Sequence, residues 1–154
     1  MLSLRPALAE EARQIRTFIR QENLNPLGLD WRRFTVAVAA DGMLVGCVQY
    51  KPHAPDIIEL ASLVVHPRWR GQGVGKALVN HLQQAHGPPM WLMCAGATAA
   101  YYHPLGFVAV TVPGEMPPYF RRLFRISALF QRFLRPENRL TIMVWPRPGA
   151  PPAA

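Results

Sequence analysis

Cysteine is scarce in this chain. There are two, Cys47 and Cys94, each inside a strand-like apolar run and neither in a C-x-x-C pair or a Cys/His cluster. That excludes a disulfide scaffold and a thiolate metal site as organising features, and it leaves buried free thiols as the expectation. The five histidines have no metal-ligand spacing, so no metal is expected. Lysine is also rare: of 17 basic residues only Lys51 and Lys76 are lysines, against nine acids, for a net charge of +8. Such a balance suits nucleic acid, an anionic membrane surface or a polyanionic small molecule, and charge alone does not choose among them. No uncharged apolar run reaches the roughly 18 residues of a membrane span. The opening segment MLSLRPALAEEARQIR lacks the cationic-then-apolar order of a secretory signal, so a cytoplasmic address is expected.

What the chain has is length and alternation. Its 154 residues, half of them hydrophobic, are enough for one globular domain, expected over residues 1–146 and followed by a flexible Pro/Ala-rich tail at 147–154. LSLRPAL reads as a short strand and AEEARQIRTFIRQE as an amphipathic helix, with Ala12, Ile15, Phe18 and Ile19 on one face. RFTVAVAA and MLVGCVQY flank Asp41-Gly42, a hairpin signal. IIELASLVV predicts a strand buried on both faces. GKALVNHLQQAH is helical, MWLMCAG another buried strand, ATAAYYHPLG a short helix closing on Gly106, and FVAVTV a strand. PPYFRRLFRISALFQRFLR is again helical and RLTIMVWP is a last strand. The order β-α-β-β-β-α-β-α-β-α-β predicts a mixed α/β domain.

Between the fourth strand and its helix lies VHPRWRGQGVG, with glycines at 71, 73 and 75. Bare glycines admit a ligand to the backbone and permit positive φ, and a helix starting near Gly73 adds free N–H groups and a positive dipole end. The combination suits an anion, most naturally phosphate. A P-loop would need four residues before its Gly-Lys pair and then Ser or Thr; here three separate Gly71 from Gly75, and Ala77 follows Lys76. A dinucleotide fingerprint would need G-x-G-x-x-G after a first strand with an acid about 20 residues on; here no acid occurs between Glu59 and Glu115.

The stretch from Val65 to Gly75 resembles V-x-P-x-x-R-G-x-G-x-G/A, the signature of the GNAT superfamily of acyl-CoA N-acyltransferases. AAYYHPLGF at 99–107 resembles that family's second element, and the order of elements is similar along residues 2 to 146. The resemblance implies a GNAT fold: a mixed central sheet of about seven strands, splayed between strands four and five and flanked by helices. It implies acetyl-CoA as the acyl donor. Its pyrophosphate would be wrapped by Arg70, Gly71, Gln72, Gly73, Val74, Gly75 and Lys76, and its pantetheine arm would run beside Leu63, Val64 and Val65. Tyr102 matches the family's general acid, with Tyr101 as a packing neighbour. Glu59, the sole acid of its strand after Asp56, matches a carboxylate that relays the amine's proton; a structural carboxylate paired to an arginine would read the same. The implied reaction is acetylation of a primary amine, on a small molecule or peptide, by direct attack in a ternary complex.

Two departures stand out. Ala95, Gly96 and Ala97 occupy the place where many members carry an Asn, which leaves a non-catalytic CoA-binding regulator as the alternative. An inserted helix, expected at 119–134, lies between strands six and seven. Its wheel groups Phe120, Leu123, Phe124, Ile126, Phe130, Phe133 and Leu134 opposite Arg121, Arg125, Arg132 and Arg135. Aromatics opposite the arginines, rather than interleaved with them, argue against nucleic acid. The apolar face is expected to dock on protein, its own domain or a second copy in a homodimer, ahead of a membrane surface, and to shape the acceptor pocket.

Overall fold

The computed structural model describes residues 2–149; residues 150–154 of the expected tail lie outside the described residues. Seven strands, β1 (Ser3–Pro6), β2 (Phe34–Val38), β3 (Leu44–Ala54), β4 (Ile57–Val65), β5 (Met90–Ala95), β6 (Val108–Val110) and β7 (Leu140–Trp145), form one open sheet in the order β1-β2-β3-β4-β5-β7-β6. The helices are α1 (Ala12–Gln21), α2 (Val74–His86), α3 (Gly96–Tyr102) and α4 (Pro118–Gln131). β4 and β5 are parallel, with a ladder of two pairs, Ile58–Met90 and Glu59–Trp91. The pairs β1–β2, β2–β3, β5–β7 and β6–β7 are antiparallel, so the sheet is mixed, as the order of elements predicts. None of the helices is long and apolar enough to cross a membrane, among the described residues.

The residues group into two compact units, one running to Lys51 and resuming over Leu60–His86, the other comprising Pro52–Glu59 and the chain from Gly87 on. In the first, Asp41 closes the β2–β3 hairpin by accepting the Met43 N–H at 3.0 Å. Ile15 and Ile19, one turn apart on α1, are buried with Phe34, Val36, Val38, Leu44 and Val64, the helical spacing turning one stripe to the core. Glu11 fixes the start of that helix. It accepts the Leu8 N–H at 2.7 Å and two nitrogens of Arg5 at 2.7 and 2.9 Å, and the Arg5 guanidinium holds its carboxyl below the usual range. α2 packs on β2 and buries Leu78, Val79 and Leu82.

The second unit packs α4 on β7 around Trp91, Val110, Met116, Phe120, Ile142 and Val144. α3 begins at Gly96, whose N–H donates to the Arg139 carbonyl at 2.9 Å. A Cβ there would lie 2.5 Å from the Pro136 carbonyl oxygen. No side chain fits so close to backbone, which accounts for glycine at this position.

Three expectations are corrected. β3 does not end at Tyr50 but runs on through Lys51–Ala54, and His53 on this extension meets Glu59 of β4. β4 is fully buried on both faces only at Glu59 and Leu60, whose side chains alternate between faces, and again at Val64; Ile57, Ile58, Ala61–Leu63 and Val65 are half-buried. The inserted helix docks over its first turns only. Phe120 is fully buried and Phe124 partly so, but Phe130 and Phe133 are 64% and 75% exposed. A helical wheel assigns a face by residue type alone, whereas the apolar patch beneath α4 is filled by Phe120 and Phe124. The free thiols divide likewise, Cys47 buried and Cys94 half-buried.

Gly96→Ala should therefore destabilise the protein by about 1–3 kcal/mol, since backbone must move to admit the methyl group. Gly114→Ala, with nothing within 4 Å of its Cβ position, should be close to neutral. Thermal unfolding of the two variants side by side checks this; equal melting temperatures would contradict the close approach at Gly96.

Candidate functional site

β4 hands the chain to the glycine loop through a defined kink. Ser62 has φ of 56°, a left-handed conformation that costs a non-glycine residue roughly 1–3 kcal/mol, and its carbonyl accepts a weak bond from Cys47 Sγ at 3.9 Å. Beyond Val65, His66 Nδ1 accepts the Arg68 N–H at 3.3 Å and caps a 3-10 turn over Pro67–Trp69. Arg70 then fastens the loop at both ends: its Nε donates to the Val65 carbonyl at 3.1 Å, and one terminal nitrogen bridges to Glu22 at 2.5 Å. Gln72 Nε2 donates to the Arg68 carbonyl at 2.8 Å. The side chains of Arg70 and Gln72 thus hold the loop itself, and Lys76 stands exposed.

Gly71 and Gly73 have φ of 74° and 82°, and a Cβ on either would meet nothing within 4 Å. Their backbone conformation demands glycine; crowding by the chain does not. The first bond of α2 runs from the Ala77 N–H to the Gly73 carbonyl at 2.9 Å, so the amides of Val74, Gly75 and Lys76 stand ahead of the helical ladder. An exposed bare backbone, free amides and one lysine at a helix start form a donor set that fits an anion of phosphate type. Of the candidate strand residues Val64 is buried, and Leu63 and Val65 are half-buried. Val64 also lines a cavity of about 270 Å³ with Phe18, Gln21, Glu22, His66 and Pro67.

Glu59 is 4% exposed. Its partner is not an arginine: Oε2 lies 2.5 Å from Nε2 of His53 on the extended end of β3. The His53 ring stacks on Tyr119, the second residue of α4, with centroids 3.7 Å apart, and meets Phe120 edge-on at 5.6 Å. Phe120 in turn stacks on Trp91 at 5.5 Å, the residue paired with Glu59 across the β4–β5 ladder. Burial, and then the Glu59 charge, raise the Tyr119 phenol above its ordinary value. The Trp91 Nε1–H is buried without a hydrogen-bond acceptor. The arrangement is a carboxylate–imidazole pair in an aromatic wall, able to take up a proton and pass it to the partly exposed His53.

Tyr101, expected as the packing neighbour, is the exposed tyrosine of the pair, and Tyr102, expected as the general acid, is buried. Tyr102 is 7% exposed, packed edge-on against Phe107, whereas Tyr101 is 43% exposed. α3 is so short that its last turn is set by the 3-10 turn at His103–Leu105 and the left-handed Gly106 cap, which swing Tyr102 inward. Burial, followed by Cys94 and Tyr101, pushes its phenol well above the ordinary value, so it stays a protonated donor. Sequence reasoning missed His53 and Tyr119. The signal for His53 was its position, as far before Asp56 as Glu59 is after it, on a hairpin turning at Pro55–Asp56. Tyr119 had no signal, because its neighbour is distant in sequence.

A family model for the acetyltransferase (GNAT) domain matches residues 30–109. No curated protein sequence matches the chain. Among solved structures, it is similar to N-acetylglutamate synthase from Neisseria gonorrhoeae complexed with coenzyme A and N-acetyl-glutamate, at TM-score 0.72 and 21% identity over 96% of this chain and 36% of that one. It is similar to Rv2747 from Mycobacterium tuberculosis in complex with CoA and NLQ, at TM-score 0.72 and 19% identity over 94% and 99% of the two chains. An acetyltransferase of the GNAT family from Staphylococcus aureus follows at TM-score 0.62 and 14% identity, over 94% and 99%. The chain thus spans about a third of the gonococcal chain it matches, and at these identities the likeness is one of fold.

Burial also pushes the thiols up, Cys47 to about 12 and Cys94 to about 11. A higher pKa means less thiolate at any given pH, so at pH 8 Cys94 should react with an aromatic disulfide reagent on the order of a hundredfold, and Cys47 on the order of a thousandfold, more slowly than in the denatured chain. Reaction of Cys94 at the denatured rate would show that the end of β5 opens in solution.

Proposed function

The chain belongs to the GNAT family of acetyltransferases, and on that premise we propose that it moves an acetyl group from acetyl-CoA to a primary amine by direct attack in a ternary complex. One observation carries the reading. The strand that bears the buried Glu59 ends in a loop whose two glycines hold left-handed conformations with open space beside them, ahead of the free amides of α2. The pyrophosphate of the donor is assigned to the backbone of Arg70–Lys76, with the Lys76 ammonium adding charge and Arg70 keeping the loop in shape. The pantetheine arm is assigned to the backbone of Leu63, Val64 and Val65. Residues 1–146 are read as a single catalytic domain and the cytoplasm as its compartment.

Acyl transfer needs a neutral amine, a donor for the oxyanion and a proton for the departing thiolate. Glu59, through His53 or a water, takes the proton from the ammonium form of the acceptor, and the nitrogen lone pair then attacks the thioester carbon. An N–H at Val65 is the oxyanion donor. As the C–S bond breaks, Tyr102, a protonated donor at neutral pH, gives its proton to the sulfur, and the second proton that the nitrogen sheds as the C–N bond forms restores the phenol through water. The carboxylate–imidazole pair supports this reading because it links the buried acid to a side chain that reaches solvent.

The acceptor is read as a small molecule or peptide that carries an acid as well as its amine. The arginine-rich surface supports this, and so does the amino-acid product named for the gonococcal relative. A panel of amino acids, polyamines and peptide N-termini assayed for free CoA release tests the reading. Tight acetyl-CoA binding with no release across the panel would overturn it.

Three variants bear on the mechanism. Gly73→Val should abolish acetyl-CoA binding by calorimetry while the fold persists. Tyr102→Phe should lower kcat roughly 10²-fold with acetyl-CoA affinity near wild type. Glu59→Gln should lower the rate most at low pH, where the amine is protonated and needs a base, and least at high pH, where it is already neutral. Full activity in the last two would assign the protons to water and buffer.

A further inference from the structure

The last turns of α4 and the segment that follows leave a stripe of large apolar side chains in water. Leu129 and Phe130 follow Ile126 at i+3 and i+4, and the bond from the Phe133 N–H to the Phe130 carbonyl, at 3.1 Å, carries Phe133 one turn further along. All four are exposed. Phe130 and Leu134 only line, and do not fill, an open groove of about 370 Å³ against β5 and β7. Burying such side chains is worth roughly 1.5–3 kcal/mol each, so the stripe calls for an occupant.

Charge decides which. Arg122 stands one turn ahead of Ile126, Arg125 and Arg132 one turn either side of Leu129, and Arg135 and Arg139 beyond; all are exposed. The one acid in the segment, Glu137, is already within 4.0 Å of Arg135. The Arg132 guanidinium lies over the Phe133 ring, 4.7 Å from its centroid, so at this end apolar and cationic groups share one edge, where the helical wheel sets them on opposite faces. A second copy would bring the same arginines against themselves, and like charges at close range repel. A surface that is negative outside and hydrocarbon beneath satisfies both halves: the phenylalanines enter the acyl boundary while the arginines meet lipid phosphates.

We propose that the end of α4, with Phe130 and Phe133 as its insertion points, docks the protein on an anionic lipid surface. The N-terminal half of the helix, held by Phe120 and Phe124, stays on the protein. Docking thus needs no unfolding and no change at Glu59.

Sedimentation with vesicles of phosphatidylcholine, with and without phosphatidylserine, tests the proposal. The wild type should pellet with the phosphatidylserine vesicles, stay in solution with phosphatidylcholine alone, and be released by raised salt. Phe130→Ser with Phe133→Ser should lower the partition coefficient on the order of tenfold per residue. Arg125→Glu with Arg132→Glu should abolish binding while leaving the circular dichroism spectrum unchanged. Absence of wild-type binding, or binding that survives both double variants, overturns the proposal. So does a wild-type dimer, seen by analytical ultracentrifugation, that the serine variant makes monomeric, for the occupant would then be a second copy.

Discussion

A carboxylate sunk to 4% exposure in a sheet must either lose its charge or find a partner, since desolvating it alone is prohibitive. Glu59 finds His53 at 2.5 Å, and several other features of its unit follow from that contact. β3 must continue to Ala54 to bring the imidazole to the carboxylate. The ring's other side needs cover, which Tyr119 supplies by stacking. Tyr119 can do so only if α4 begins where it does, after Pro117, so the inserted helix is anchored at its first turn to the acid–imidazole pair. The aromatic chain continues from Phe120 to Trp91 and returns to β4 through the Glu59–Trp91 register. The insert, although extra to the usual succession of strands, is therefore part of the wall around the carboxylate.

Anchoring at one end explains why the other end is bare. Helix formation propagates cheaply once its first turn is fixed, so α4 runs on past the patch that Phe120 and Phe124 occupy. Arg121 strengthens the fixed end by donating from Nε and a terminal nitrogen to the Met116 carbonyl at 3.3 and 2.9 Å. The distal turns have no such tie to neighbouring elements. A helix split in this way has separable duties, a structural first half and a surface-active second half, and substitutions in one need not disturb the other.

Much of the architecture was legible in the sequence because it rests on local rules. The Asp41-Gly42 turn, the 3.6-residue stripe of α1 and the nine residues of β4 each depend on neighbours within one turn or one strand. The glycine loop was legible for the same reason, since spacing alone announces a backbone that must be bare. Three things were not legible. The partner of Glu59 is a cross-strand neighbour, and its identity depends on how far β3 extends. The burial of Tyr102 and the exposure of Tyr101 depend on where α3 gives way to a 3-10 turn. The exposure of Phe130 and Phe133 depends on the size of the patch beneath α4, which no wheel contains. In each case residue type was read correctly and distance in space was not.

The glycines separate two physical reasons for omitting a side chain, and the separation bears on the loop's purpose. At Gly96 and Gly46 a Cβ would strike backbone carbonyls, of Pro136 at 2.5 Å and of Val64 at 3.0 Å; these glycines exist so that the protein can touch itself. At Gly71 and Gly73 nothing of the protein is near, yet the backbone adopts conformations that disfavour every other residue. The chain accepts that entropic cost on an exposed loop and then stiffens it with Arg70, whose bonds to Val65 and Glu22 brace both sides. A loop serving only as a connection would need neither. Bracing a bare, outward-facing backbone at a helix start makes physical sense when the missing partner is a ligand, because rigidity acquired before binding is ordering that binding need not supply.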